Sequence, residues 1–221
     1  MKYSYDTNIF VNSLMDLTYR RCVDDFFVSK GSFIPRSLLK EFNLITHISS
    51  YISKVRQIME DNCLNLLDSI NHIRLRSYKK KYHNVYSYLK SCYHKNINIT
   101  KIESAMIKKV NYILSSIQWQ SSINNRKFIY PQDEDSYVKI ISDEDIQKKK
   151  KAISLDDEDD IIHLLLCEAL GKLEGKNKVY FISDDRDIVE PRNKQKIESI
   201  MEFLIVDTFK DHLSYYNDLF K

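Results

Sequence analysis

The chain has 221 residues, 43% of them hydrophobic, which supports one large domain or two small ones with a buried core and excludes a disordered chain. Three Gly and three Pro exclude a loop-rich or collagen-like protein and predict a helix-rich one. The net charge of +3 hides an asymmetry: residues 42–128 carry 14 Lys+Arg against 4 Asp+Glu, whereas the remainder carries 20 against 27, so an acidic body holds a basic segment.

Lys2 to Asn12, KYSYDTNIFVN, opens as a short strand whose apolar character continues through Ile9, Phe10 and Val11 past Asp6. Asp6 therefore falls among residues that ought to be buried. It reads either as a capping residue for a helix starting near Thr7 or as a ligand. A helix from about Asn12 to Phe27 follows, with a turn at Gly31. Ser32 to Pro35 is a brief strand, and Pro35 is placed to open a helix through Ser37–Leu44 that carries Glu41.

From Asn43 to about Arg76, apolar residues recur at three- and four-residue intervals from Leu44 to Ile73, predicting one long amphipathic helix or two in line. Arg74 to Tyr93 then interleaves Arg74, Arg76, Lys79, Lys80 and Lys81 with Tyr78, Tyr82, Tyr86, Tyr88 and Tyr93. Cations can hold phosphates and Tyr rings can stack on bases; the same pattern also describes a solvated helix face with a Tyr packing stripe. Thr100–Glu103, TKIE, reads as a capping box for a helix striped by Ile102, Met106, Val110, Ile113 and Ile117. Residues 45–125 thus form a predicted helical insertion.

Asn124 to Tyr137 lacks periodicity and reads as a loop, and Ser142 to Lys151 as a helix with acids at its start and lysines at its end. Asp156 to Asp187 carries the densest information: an acid-led apolar helix capped by Ser154 or Asp156, a stop at Gly171 or Gly175, the strand Val179–Ile182, and more acids directly after it. A loop and helix over Asp187–Glu198 and a last strand, Phe203–Val206, complete the chain. The strand-helix alternation predicts an α/β fold with a parallel sheet and helices on both faces. Ligand sites of such sheets lie at the carboxyl ends of the strands.

Asp6 at a strand end, Glu41 on a helix, Asp160 at a helix start and Asp185 past a strand could all converge on that edge. Clustered carboxylates repel unless a cation compensates, and an all-oxygen donor set suits Mg²⁺ or Mn²⁺, which can activate water for attack on a phosphodiester. Asp159 competes with Asp160 for the assignment, and Asp184 with Asp185. His163, one turn after Asp160, reads as a satisfied core or rim histidine in preference to a ligand or base.

YDTNIF around Asp6, FIPRSLLKEF ending at Glu41, DDIIHLLLCEAL with Asp160 and FISDDRDI with Asp185 together resemble the PIN domain family. The likeness covers about Lys2 to Leu44 and Ala152 to Leu213. It implies a single PIN-like domain over 1–221, a parallel sheet of four to five strands, and a metal-dependent nuclease acting on RNA. By the same resemblance Asp6, Glu41, Asp160 and Asp185 form the metal-binding and catalytic set, Asp187 is an accessory acid, and Thr7, Asn8 and Ser183 orient the carboxylates. The roughly 110 residues between the two matching parts exceed an ordinary PIN connection. Rival expectations are a nuclease of the same fold acting on single-stranded or flapped DNA, and a non-catalytic binding module. A protein inhibitor or antitoxin and a second copy of the chain are candidate partners. No run is long and apolar enough to span a bilayer, and a cytoplasmic protein with Cys22, Cys63, Cys92 and Cys167 as reduced core thiols is expected.

Overall fold

A computed structural model describes residues 2–29, 31–35, 42–74, 83–122, 128–129, 143–173 and 177–219. Strand β1 (Lys2–Tyr5) ends sooner than its apolar continuation suggests, because helix α1 (Thr7–Ser13) begins immediately after Asp6. Ile9 and Phe10 are fully buried on that helix instead of on a strand. A short apolar run does not distinguish the two periodicities. Helix α2 (Leu17–Val28) is capped by Asp16, whose Oδ1 accepts from the Thr18 and Tyr19 amides at 2.7 and 3.3 Å. Burying its Val23 and Phe26 contributes about 1.5–3 kcal/mol per side chain relative to exposure.

Strand β2 (Ile34–Pro35) pairs in parallel with β3 (Phe128–Ile129), so Pro35 closes a strand, and the stretch expected to be a loop after Asn124 contains one. Between these strands lie α3 (Asn43–Asp61), α4 (Leu66–Arg74), α5 (His83–His94) and α6 (Ile99–Ser122). Of the two expectations, one long helix or two, the stretch forms two, α3 and α4. Between them Cys63 adopts a positive φ of 50°, a left-handed turn that no helix continues through. The cap of α6 lies two positions before the expected box: Asn98 Oδ1 accepts from the Thr100 amide at 2.8 Å. Glu103 instead turns to the side of α3, accepting from Ser53 Oγ at 2.6 Å and pairing with Arg56 Nε at 2.7 Å. Ile45, Ile52, Val55, Ile70, Leu89 and Ile113 from these helices share one buried cluster with Phe10 and Phe26. The helical segment is therefore packed on the same core as β1.

Helices α7 (Asp143–Ile153) and α8 (Glu158–Leu173) precede β4 (Val179–Ser183), and α9 (Arg186–Val189) and α10 (Pro191–Ile200) precede β5 (Leu204–Thr208) and α11 (Phe209–Leu219). Asp157, in place of Ser154 or Asp156, caps α8, its Oδ1 accepting from the Asp159 amide at 3.0 Å. The class is α/β, mostly helical, and among the described residues the main sheet has three strands in the parallel order β1-β4-β5, short of the expected four to five. The β2-β3 pair is a separate ladder, joined to β1 by one parallel bridge, Tyr3 to Ser32. Side-chain alternation divides the sheet: Tyr3, Tyr5 and Ile182 face the cluster with α1–α6, and Val179, Phe181, Leu204 and Val206 face a second cluster with α8 and α10. Cys22, Cys92 and Cys167 are buried free thiols, whereas Cys63 is exposed. Among the described residues no helix is long and apolar enough to cross a membrane.

Candidate active site

Asp6 extends the β1-β4 ladder by one bond, its amide donating to Ile182 O at 2.9 Å. It also occupies the N-cap position of α1, yet its carboxylate makes no capping bond. The side chain, 7% exposed, turns across the carboxyl edge of the sheet to the end of β4. There Asp6 Oδ2 accepts from Ser183 Oγ at 2.5 Å and from Asn8 Nδ2 at 2.7 Å. Asp6 therefore sits where a cap would sit, while its carboxylate is directed elsewhere. Asn8 and Ser183 are 3.1 Å from one another, and Ser183 Oγ accepts from the Asp185 amide at 2.9 Å. Thr7 is buried at the first position of α1, and the orienting bonds just described run through Asn8 and Ser183.

The two acids after β4 have different environments. Asp184 is bonded at both oxygens: Oδ2 accepts from Tyr19 Oη at 2.5 Å and Oδ1 from the Phe209 amide at 3.3 Å. Burial, followed by the Asp184 carboxylate, holds the Tyr19 phenol well above its ordinary pKa, so it remains a donor. Asp185 is exposed, caps α9, and accepts from the Asp187 amide at 2.9 Å. Asp187 is exposed in the first turn of that helix.

Asp160 is half-buried in the first turn of α8, as is Asp159. The direction of α8 follows from its contacts. Near its start His163 meets Phe181 edge-on, with ring centroids 4.6 Å apart, and bonds Ser4 at 2.8 Å. Near its end, a Cβ on Gly171 would lie 2.6 Å from Asn177 O and 2.8 Å from Phe203 Cβ, beside the starts of β4 and β5. The helix therefore runs against the strands. Asp160, three residues before His163, lies about 4.5 Å further towards the carboxyl edge at 1.5 Å per residue.

Glu41, Arg76, Lys79, Lys80, Lys81 and Tyr82 lie outside the described residues, and Arg74 is the last residue of α4. Tyr86 is half-buried against the helical core with its hydroxyl 3.3 Å from Asn71 Oδ1, and Tyr88 and Tyr93 pack there too. An oxygen-only donor set of Asp6, Asp160 and Asp185 has the right chemistry for Mg²⁺ or Mn²⁺. Among the described residues, however, no three His, Cys, Asp or Glu are grouped to hold an ion by themselves. Two contributions were not read from the sequence. Ser4 could have been found from its parity with Asp6 on β1; Tyr19, distant in sequence from Asp184, left no local signal. Compared with known proteins, the chain matches no family model, and no curated protein or solved structure matches significantly.

Proposed function

We propose that the chain is a PIN-like nuclease that cleaves single-stranded RNA with the help of Mg²⁺ or Mn²⁺. The observation that carries this reading is the Asp6 carboxylate, which forgoes the helix it precedes and is held by Asn8 and Ser183 at the carboxyl edge of a parallel sheet. Asp6, Asp185 and Asp160 would hold the cation, with Glu41 completing the set and Asp187 accessory. Like charges keep such acids apart in the ion's absence, so binding would draw them together. A bound divalent ion would supply positive charge for the attacking and leaving oxygens of a phosphodiester. Asn8 and Ser183 fix the orientation of Asp6, as outer-shell hydrogen bonds do for ligating carboxylates. The β2-β3 pair and its bridge to β1 would extend the sheet to the order β3-β2-β1-β4-β5, and the helical segment between β2 and β3 would be the insertion that presents its cations to the substrate.

The absence of a ready three-acid group among the described residues favours one second reading, a nucleic-acid or protein-binding module without catalysis. One assay separates the two: wild type and Asp6→Asn are incubated in Mg²⁺ or Mn²⁺ with single-stranded RNA and with flapped DNA. The nuclease reading expects RNA cleavage by wild type alone. Cleavage of flapped DNA only would change the substrate, and equal activity of both proteins, or of neither, would sink the reading.

A further inference from the structure

Tyr19 stands outside the acidic set, yet it is bonded to the loop that presents it. Its ring stacks on Phe209 at 3.8 Å between centroids and 13° between planes, which fixes the phenol between α2 and the start of α11. The hydroxyl donates to Asp184 Oδ2 at 2.5 Å, and the Phe209 amide holds the other oxygen. From the opposite side, the Asp184 amide points to Asn8 Oδ1 at 3.4 Å, and the same Asn8 donates through Nδ2 to Asp6. Asp184 is thus clamped through its side chain by Tyr19 and through its backbone by the residue that orients Asp6. The next residue is Asp185, whose own amide is tied to Ser183 Oγ.

We propose that Tyr19 is a positioning residue, acting through Asp184 to hold Asp185 in register with Asp6 for a divalent cation. This inference rests on the metal-dependent reading above. The clamp also keeps the Asp184 carboxylate bonded away from Asp185, so two adjacent acids do not contend for one place. Removing the hydroxyl alone leaves the ring stack intact and frees the loop.

The test uses the full chain, calorimetric titration with Mn²⁺, and amide hydrogen exchange at Asp185 and Arg186. Tyr19→Phe should melt close to wild type, bind Mn²⁺ about 10-fold more weakly, the lower end of the scale for outer-shell substitutions, and exchange those amides faster. Asp184→Ala, which also releases the Phe209 amide, should show at least the same defect, and the double variant no more than Asp184→Ala alone, because the phenol then has no carboxylate to hold. Asp184→Asn keeps an acceptor for Tyr19 and should recover most of the affinity. A merely structural tyrosine would lower the melting temperature without changing Mn²⁺ affinity. If wild type binds Mn²⁺ and Tyr19→Phe binds it equally, the inference falls and the proposed function stands. If wild type binds no Mn²⁺, the metal-dependent reading fails and takes this inference with it.

Discussion

Ser4 Oγ and His163 Nε2 lie 2.8 Å apart in the buried layer between β1 and α8, two residues before Asp6 on the strand and one turn after Asp160 on the helix. That bond sets how far α8 slides along β1. It therefore sets the separation of two candidate ligands while touching neither. Its partner ring is also a pH-sensitive element, because burial pushes the His163 pKa down to about 3 and that of His212 down to about 4.

Stability should fall as the solution is acidified through the histidine range. Both folded pKa values are depressed below the ordinary value of about 6.5, so below that pH the unfolded chain takes up protons that the folded chain refuses. The stabilisation is fully present above about pH 6.5 and is lost as pH falls towards the folded values, at about 1.4 kcal/mol per pH unit for each histidine. Urea unfolding between roughly pH 7 and 5 checks it, with His163→Gln expected to lose about half of the histidine-linked slope. A wild-type midpoint that does not move over this range would refute the buried neutral assignment.

Substitution at Asp6 should separate folding from ion binding. Asp6→Ala leaves the Ser183 hydroxyl and the Asn8 amide without their shared acceptor, at a cost of about 1–3 kcal/mol. Asp6→Asn keeps an acceptor oxygen and should melt near wild type, or above it where removal of a negative charge relieves repulsion. Both variants should lose most Mn²⁺ binding. Wild-type affinity, conversely, should fall with pH, because the ligands must be deprotonated. Undiminished Mn²⁺ affinity in either variant would remove Asp6 from the ligand set.

Gly171→Ala should destabilise the fold although alanine is the better helix former. The added methyl would meet Asn177 O at 2.6 Å and Phe203 Cβ at 2.8 Å, neither of which is the tip of a flexible side chain. Overpacking of this kind costs about 1–3 kcal/mol, more than the roughly 1 kcal/mol of helix propensity gained. Thermal melting decides the sign; a more stable variant would show that α8 can move off the strands freely.

Replacing Lys79, Lys80 and Lys81 together by Gln should weaken RNA binding across sequences. If all three reach phosphates, the slope of log K against log salt should flatten by up to about 2. Turnover at saturating RNA should change much less. An unchanged slope would leave these lysines as solvating groups and shift the binding surface elsewhere.

The sequence made the class of fold readable where length and period agreed. The α8 pattern is long enough to leave one interpretation, and the short β4 run is marked as a strand by the Gly stop before it and the acids after it; both occur as expected. For Ile9 to Val11 three apolar residues fit either period, and of the two readings of this stretch it is the helix starting near Thr7, with Asp6 at the cap position, that occurs. Thr100 offered a sound capping box, but Glu103 found Arg56 on a neighbouring helix, and tertiary pairing overrode the local motif. Within the site, the family resemblance pointed to Thr7, Asn8 and Ser183 as orienting residues, and Asn8 and Ser183 do bond the Asp6 carboxylate. The different environments of Asp184 and Asp185 were not legible, since they depend on Tyr19 and Phe209, which only folding brings near.

Asp6 and Ser183 are separated by 177 residues, as β1 is from its ladder partner β4. On a ribosome elongating at about 5–20 residues per second, roughly 10 to 35 s pass after Asp6 is made before Ser183 exists to meet it. Meanwhile α3 to α6 can pair with near neighbours, as local contacts form earliest. The nascent chain thus holds a helical bundle and a strand bridged to Ser32 but lacking its β4 ladder for most of its synthesis. Any cutting ability would be withheld until β4 has emerged, a delay written into the strand order itself.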